Sequence, residues 1–102
     1  MRIVEVIAKP ECTNFLSLVK QKQRELKQKK RGTFYPVNPN RWKHVSHNGY
    51  INLLKGHKHI TIFEVISKSE SGKDWQILHS FLGFLDRHFH ETMESVTVLY
   101  RD

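Results

Sequence analysis

Residues 42–67 read WKHVSHNGYINLLKGHKHITIFEVIS, and this stretch decides the fold. Asn48-Gly49 is the strongest short hairpin signal, because a type I′ turn needs positive φ at both central residues. It predicts a short strand over Trp42–Ser46 and a return strand over Tyr50–Leu54. Lys55-Gly56-His57-Lys58 reads as a second tight turn, and His59–Ser67 as a long strand rich in β-branched residues. In that strand Ile60, Ile62, Glu64 and Ile66 share one face and Thr61, Phe63 and Val65 the other. Three strands joined by two tight turns form an antiparallel meander.

Working outward, residues 2–8, RIVEVIA, predict a strand that Pro10 stops by removing a backbone donor. Thr13 or Asn14 can cap a helix in which Phe15, Leu18, Val19, Lys22 and Leu26 recur at helical spacing. The apolar stripe thins after two turns, so from Lys20 onward the helix is expected to be exposed or to project, with Gly32 as its stop. Residues 32–41, GTFYPVNPNR, read as one long loop, since Pro36 and Pro39 interrupt any period. After a polar break at Ser69–Lys73, Ser71 and Asp74 have the form of a capping box for a helix from Gly72 to about His90. Trp75, Leu78, Leu82, Leu85 and Phe89 form one stripe of that helix; Ile77, Phe81 and Phe84 form a second beside it. Gly83 is expected to mark a close backbone approach, and Glu94–Tyr100 a last strand. The expected fold is a single α+β domain over residues 1–102. Its order is β-α-β-β-β-α-β, a mostly antiparallel five-stranded sheet with two helices packed on one face. Ile3 or Val4, Val6, Phe15, Val19, Ile60, Ile62, Trp75, Leu78, Leu82, Leu85, Val96 and Val98 are the expected core.

The composition, 38% hydrophobic and 26% charged over 102 residues, is globular and leaves room for one core. No apolar run approaches the ~20 residues of a membrane span, and Met1–Ile7 has no signal-peptide pattern. The lone Cys12 excludes an internal disulfide framework and points to a reducing, cytoplasmic setting. The net charge of +7 is concentrated. Residues 20–31, KQKQRELKQKKR, hold seven bases against the single acid Glu25, while the rest of the chain holds ten bases against nine acids. Such a patch attracts polyanions through counterion release, although a lysine run also serves simply as a solvated helix face.

Seven histidines invite a test for chemistry. Three of His44, His47, His57 and His59 have conceivable metal-site geometry, but no acid or second cysteine supports them. His88 and His90 diverge by about 200° on a helix. A metal-independent ribonuclease would draw a base and an acid from His57, His59 and His44 and a cation from Lys55 or Lys58. No nucleophile elbow and no glycine-rich phosphate loop is present. The expectation is therefore no catalytic residue, no bound metal and no organic cofactor.

The α-β-β-β-α core resembles double-stranded-RNA-binding domains in element order. It lacks their basic cluster at the start of the last helix, where Lys73 stands alone. The order also resembles small endoribonuclease toxins, whose arginine-bearing strands have no counterpart here. The expected function is non-catalytic nucleic-acid binding, RNA or single strands before duplex DNA. Lys20, Lys22, Arg24, Lys27, Lys29, Lys30 and Arg31 would hold phosphate, Arg41 and Lys43 extend the track, and Tyr35 and Trp42 supply aromatic surface. The alternatives are an interaction module or homodimeric adaptor that grips an acidic protein, paired through a sheet edge or the second helix, and the ribonuclease.

Overall fold

Alternation along RIVEVIA places Val4, Val6 and Ala8 on one side of an extended chain, and all three are buried. The computed structural model describes residues 1–68 and 75–101. Among these, the elements in chain order are β1 (Arg2–Ala8), α1 (Phe15–Gln28), β2 (Phe34–Asn38), β3 (Arg41–His44), β4 (Gly49–His57), β5 (Ile60–Ser67), α2 (Trp75–Phe89) and β6 (Met93–Tyr100). The strands form one sheet in the order β2-β3-β4-β5-β1-β6, with every neighbouring pair antiparallel. β1 lies between β5 and β6, so Val4 faces Phe63 on one side and Val98 on the other. β5 and β6 thus run parallel across it, joined through the α2 segment.

The sheet has six strands where five are expected. The additional one, β2, lies in the segment read as loop. Its Pro36 pairs with Trp42 at the sheet edge, where a missing N–H costs the ladder nothing on the outer side. This strand also breaks the element order shared with double-stranded-RNA-binding domains.

Both helices cover one face. Phe15 and Val19 of α1 and Ile77, Leu78, Phe81, Phe84, Leu85 and Phe89 of α2 form one cluster with Phe34, Trp42, Ile51, Phe63 and Val65 of the sheet. Phe81 stands edge-on to Phe63 at 4.9 Å and to Phe34 at 5.9 Å, and Phe15 meets Phe89 at 5.3 Å. The covered face of β5 is therefore Thr61–Phe63–Val65, and the expected core residues Ile60 and Ile62 lie on the open one. Both faces of β5 are apolar, so alternation alone does not choose between them; the aromatic ring goes to the helices. In α2 the two apolar stripes merge around Phe81. Leu82 is only half-buried and Trp75, 51% exposed, lies outside the core. On edge strand β6, Val96 is exposed and Val98 half-buried.

The turns also differ. Gly49 opens β4 opposite Ser67, where a Cβ would stand 2.5 Å from the Ile66 carbonyl oxygen and 3.0 Å from Ile77. The glycine is needed for close packing, and Asn48 has no positive φ, so a type I′ turn is not formed there. The tight hairpin is Lys58-His59, between paired His57 and Ile60, with Lys58 at φ 53°. Gly83 has nothing within 4 Å of a built Cβ and is exposed, not closely packed. The capping pair Ser71 and Asp74, and Lys73, lie outside the described residues. No helix among the described residues is long and apolar enough to cross a membrane.

Candidate nucleic-acid interface

Helix α1 is built in two halves. Asn14 caps it, its Oδ1 accepting from the Ser17 backbone N–H at 3.1 Å. Phe15, Val19 and Gln23, four apart, are its buried residues. Beyond them only the half-buried Leu26 anchors it to the core. The helix ends in a Schellman arrangement: Arg31 N–H donates to Leu26 O at 3.0 Å and Lys30 N–H to Lys27 O at 3.1 Å. Lys30, at φ 55°, takes the left-handed position expected of Gly32.

The predicted phosphate-binding side chains follow this division. Lys20 and Lys22 are half-buried, and Arg24, Lys27, Lys29, Lys30 and Arg31 are exposed. Glu25 accepts from Lys22 at 3.2 Å and from Gln21 at 3.4 Å. The Lys22 hydrogen bond and charge hold the Glu25 carboxyl below its usual range. Among the described residues it is the one acid paired with this segment, so the field of the remaining cations is uncompensated locally.

Arg41, Lys43 and Tyr35 belong to a different surface. They lie on the open face of the sheet, opposite the helices, where Tyr35, Lys43 and Tyr50 sit in one row across β2, β3 and β4. The Arg41 guanidinium lies 4.7 Å from the Tyr50 ring centre and its Nε donates to Asn52 Oδ1 at 2.7 Å. Asn52 Nδ2 donates in turn to Glu64 at 3.2 Å, and the Lys68 ammonium covers Tyr50 at 5.1 Å. Tyr50, Asn52 and Lys68 are absent from the sequence-predicted set; the register supplies them. Trp42 points the other way, 3% exposed and edge-on to Phe63 at 6.4 Å. It is a core residue and offers no free face for stacking.

Between α1 and the β2–β3 hairpin the structure contains a groove of about 340 Å³, lined by Lys20, Gln23, Arg24, Pro36, Asn38, Pro39 and Trp42. Three sequence-predicted residues, Lys20, Arg24 and Trp42, meet there. Gln23, also absent from the sequence-predicted set, contributes a buried Oε1 with no hydrogen-bond partner.

Of the four turn histidines, His44 and His47 stand with ring centres 4.6 Å apart, and His57 and His59 lie elsewhere. His44 Nδ1 accepts from the Ser46 and His47 backbone N–H groups at 2.9 and 3.0 Å, so its proton sits on Nε2 and is donated to Ser80 Oγ at 3.2 Å. Burial first, then the charges of His47 and Lys43, pushes its pKa below the ordinary value. His44 therefore ties the 45–48 bend to α2, and its Nε2–H faces Ser80 as a donor, not as a base. His57 stands at the far end of β4, roughly 26 Å of strand away from the His44 end. His59 donates from Nδ1 to the Cys12 carbonyl at 2.9 Å. Among the described residues no three His, Cys, Asp or Glu side chains are grouped to hold a metal.

No family model, curated protein or solved structure matches the chain.

Proposed function

We propose that this protein binds nucleic acid without cleaving it, with RNA or single strands preferred to duplex DNA. The observation that carries the reading is the exposed basic half of α1. Seven cations follow one another from Lys20 to Arg31 with one paired acid among them, and the five from Arg24 onward are exposed. Cations so arranged bind phosphate by releasing counterions, which sets affinity and not sequence choice. The preference for unpaired strands is supported by the groove beside Lys20 and Arg24 and by the half-open Tyr35–Lys43–Tyr50 row, since only unstacked bases reach such surfaces. A cytoplasmic location accords with the single free thiol of Cys12. The test is a binding assay on mixed single-stranded and duplex oligonucleotides at two salt concentrations. Single strands should bind more tightly, with affinity falling steeply in salt.

A second reading, a homodimeric or acidic-partner adaptor, is favoured by a different observation. On the sheet face that no described helix covers, Ile3, Ile7, Ile60, Ile62, Ile66 and Leu99 alternate with Glu5 and Glu64, and none of the six is buried. Among the described residues no strand pairs with the outer side of the eight-residue edge strand β6. Pairing through α2 has less support, because its apolar residues are mostly consumed by the core. Sedimentation at rising protein concentration separates the two: a size that grows with concentration, in protein that binds no oligonucleotide, favours the adaptor.

A further inference from the structure

We propose that β6 is a self-pairing strand. Two copies of this chain would join their β6 edges antiparallel about Thr97 and make one continuous sheet across the dimer. The proposal rests on the homodimer half of the second reading and gives it a surface; nucleic-acid binding stands or falls separately.

The backbone of β6 sets the geometry. Met1 and Arg101 exchange both of their backbone bonds, at 2.8 and 2.9 Å. From that pair the polar groups alternate along the strand. Leu99, Thr97 and Ser95 turn theirs toward β1, and Tyr100, Val98 and Val96 turn theirs outward. The Ala8 N–H donates to His59 O on the β5 side at 2.8 Å, in phase with this alternation. Among the described residues no strand meets the outward groups. The middle of the strand is open on both faces as well: Glu94, Ser95, Val96 and Thr97 are all exposed.

The two edges of the sheet differ. β2 carries Pro36, which has no N–H to offer, and its register with β3 shifts between Pro36 and Asn38. Such features discourage pairing with another chain. β6 contains no proline and no lysine, and its register with β1 is regular from Ser95 to Tyr100. A long edge without these guards is a template for a further strand.

The occupant is a second copy because the strand is its own complement. In the register centred on Thr97, Val96 of each copy lies opposite Val98 of the other, and Glu94 opposite Tyr100. Outward-turned groups then meet outward-turned groups, and each Val96–Val98 pair exchanges both bonds. The valines of the two copies form one apolar patch on the helix side of the sheet, where Val98 already packs beside the core. The stretch from Met93 to Arg101 carries one acid, Glu94, near its start and one base, Arg101, at its end. Antiparallel pairing brings the acidic end of each copy to the basic end of the other, where Arg2 also stands over the Tyr100 ring at 5.2 Å. An in-register parallel pair would set like charges together. A shift by two residues either places Glu94 against Val98 or shortens the overlap. The two-fold axis is perpendicular to the sheet, so both helix layers lie on one side and the dimer presents two basic α1 ends together.

The experiment is sedimentation velocity on the full chain from about 1 to 200 μM, without oligonucleotide, for the parent and for Val96→Pro. Val96→Pro removes an N–H that the monomer leaves outside its own ladder, so it should fold as the parent does. The parent should pass from monomer to dimer over this range. Val96→Pro should weaken the dimer about tenfold or more, since each copy loses a donor at the axis. A second measurement fixes the register independently. With Cys12 changed to Ser, Thr97→Cys places two thiols across the axis at a non-hydrogen-bonded pair, about 4.5 Å between Cα atoms and within disulfide reach. Mild oxidation should cross-link that variant, whereas Ser95→Cys, opposite Leu99 of the other copy, should stay mostly uncross-linked. A dimer that Val96→Pro does not weaken, or equal cross-linking at positions 95 and 97, would overturn the β6 pairing and leave a homodimer through another surface. A parent that stays monomeric throughout would overturn both the pairing and the homodimer reading.

Discussion

The two helices lie on the same face of the same sheet, yet they are used differently. Six residues of α2 are buried, all of them apolar, from Ile77 to Phe89. Three residues of α1 are buried, and the last of them, Gln23, is polar. Beyond it the helix carries Lys27, Lys29 and Lys30 into solvent. A helix needs only enough apolar contact to hold it in place, and Phe15, Val19 and Leu26 supply that for α1. The remainder of α1 is free to carry charge, whereas α2 has little surface left for another task. The contrast separates a structural helix from one that supplies both an anchor and a working surface.

Five substitutions would sharpen or break this contrast. The largest effect is expected in α2. Phe81→Ala should lower unfolding free energy by about 3–5 kcal/mol in urea titrations, because its ring packs against both Phe34 and Phe63. A change below about 1 kcal/mol would show that α2 is not the centre of the core. Leu82, half-buried on the same helix, should cost less than Leu85 when each is changed to Ala. Equal costs would restore the expected Leu82 stripe.

A smaller effect, dependent on pH, should come from the histidines that α2 holds. His44 is pinned to Ser80, and His88 lies where burial first, then Lys22 of α1 and Arg87, lower its pKa. Both groups then bind protons more readily in the unfolded chain than in the folded one. Their contribution is complete above the ordinary histidine pKa of 6.5, declines as pH falls below it, and levels off once the lowered folded values are passed. Thermal melts from pH 8 down to pH 5 should show the midpoint falling below about pH 6.5. His44→Asn should flatten that fall, and an unchanged profile in the variant would mean that His44 is not the group responsible.

The smallest stability effect is a gain. Gly83→Ala should raise stability by about 0.5–1 kcal/mol, since the site is helical and empty around a built Cβ. A decrease would mean that the exposed side of α2 is in contact with something after all.

Much of this architecture is legible in the residues. RIVEVIA, the stripe that starts with Phe15 and Val19, the double stripe of α2 and the final strand each carry a clear period, and these elements form, although Leu18, Trp75 and Val96 are exposed. The failures have physical causes. β2 is hidden because Pro36 and Pro39 read as breakers, and only a place at the sheet edge makes Pro36 harmless. Asn48-Gly49 reads as a turn, but the His44 ring takes up the backbone donors of Ser46 and His47 and sets a wider bend. Ile60 and Ile62 read as core because both faces of β5 are apolar, and pairing with β1 and β4 does not break that tie. The basic side chains of α1 stand out by their density alone. Their separation from Arg41, Lys43 and Tyr35 does not, since strand alternation gives faces only once the register is known. Gln23 leaves no signal: a glutamine within a lysine-rich helix looks solvated, yet it is buried beside the groove that Pro36 and Trp42 also line.

The most direct measurement of the central claim is the salt dependence of oligonucleotide binding by the parent and by a variant with Lys27, Lys29 and Lys30 all changed to Gln. These three side chains are exposed and take no part in the core, so the variant should unfold at the parent's midpoint. Its affinity for a mixed single strand should be weaker at about 50 mM salt, and its log–log salt slope should be shallower by about 0.7 for each phosphate that is no longer neutralised. Binding equal to the parent's, or no binding by the parent at low salt, would contradict the account and leave the open sheet face as the surface to pursue.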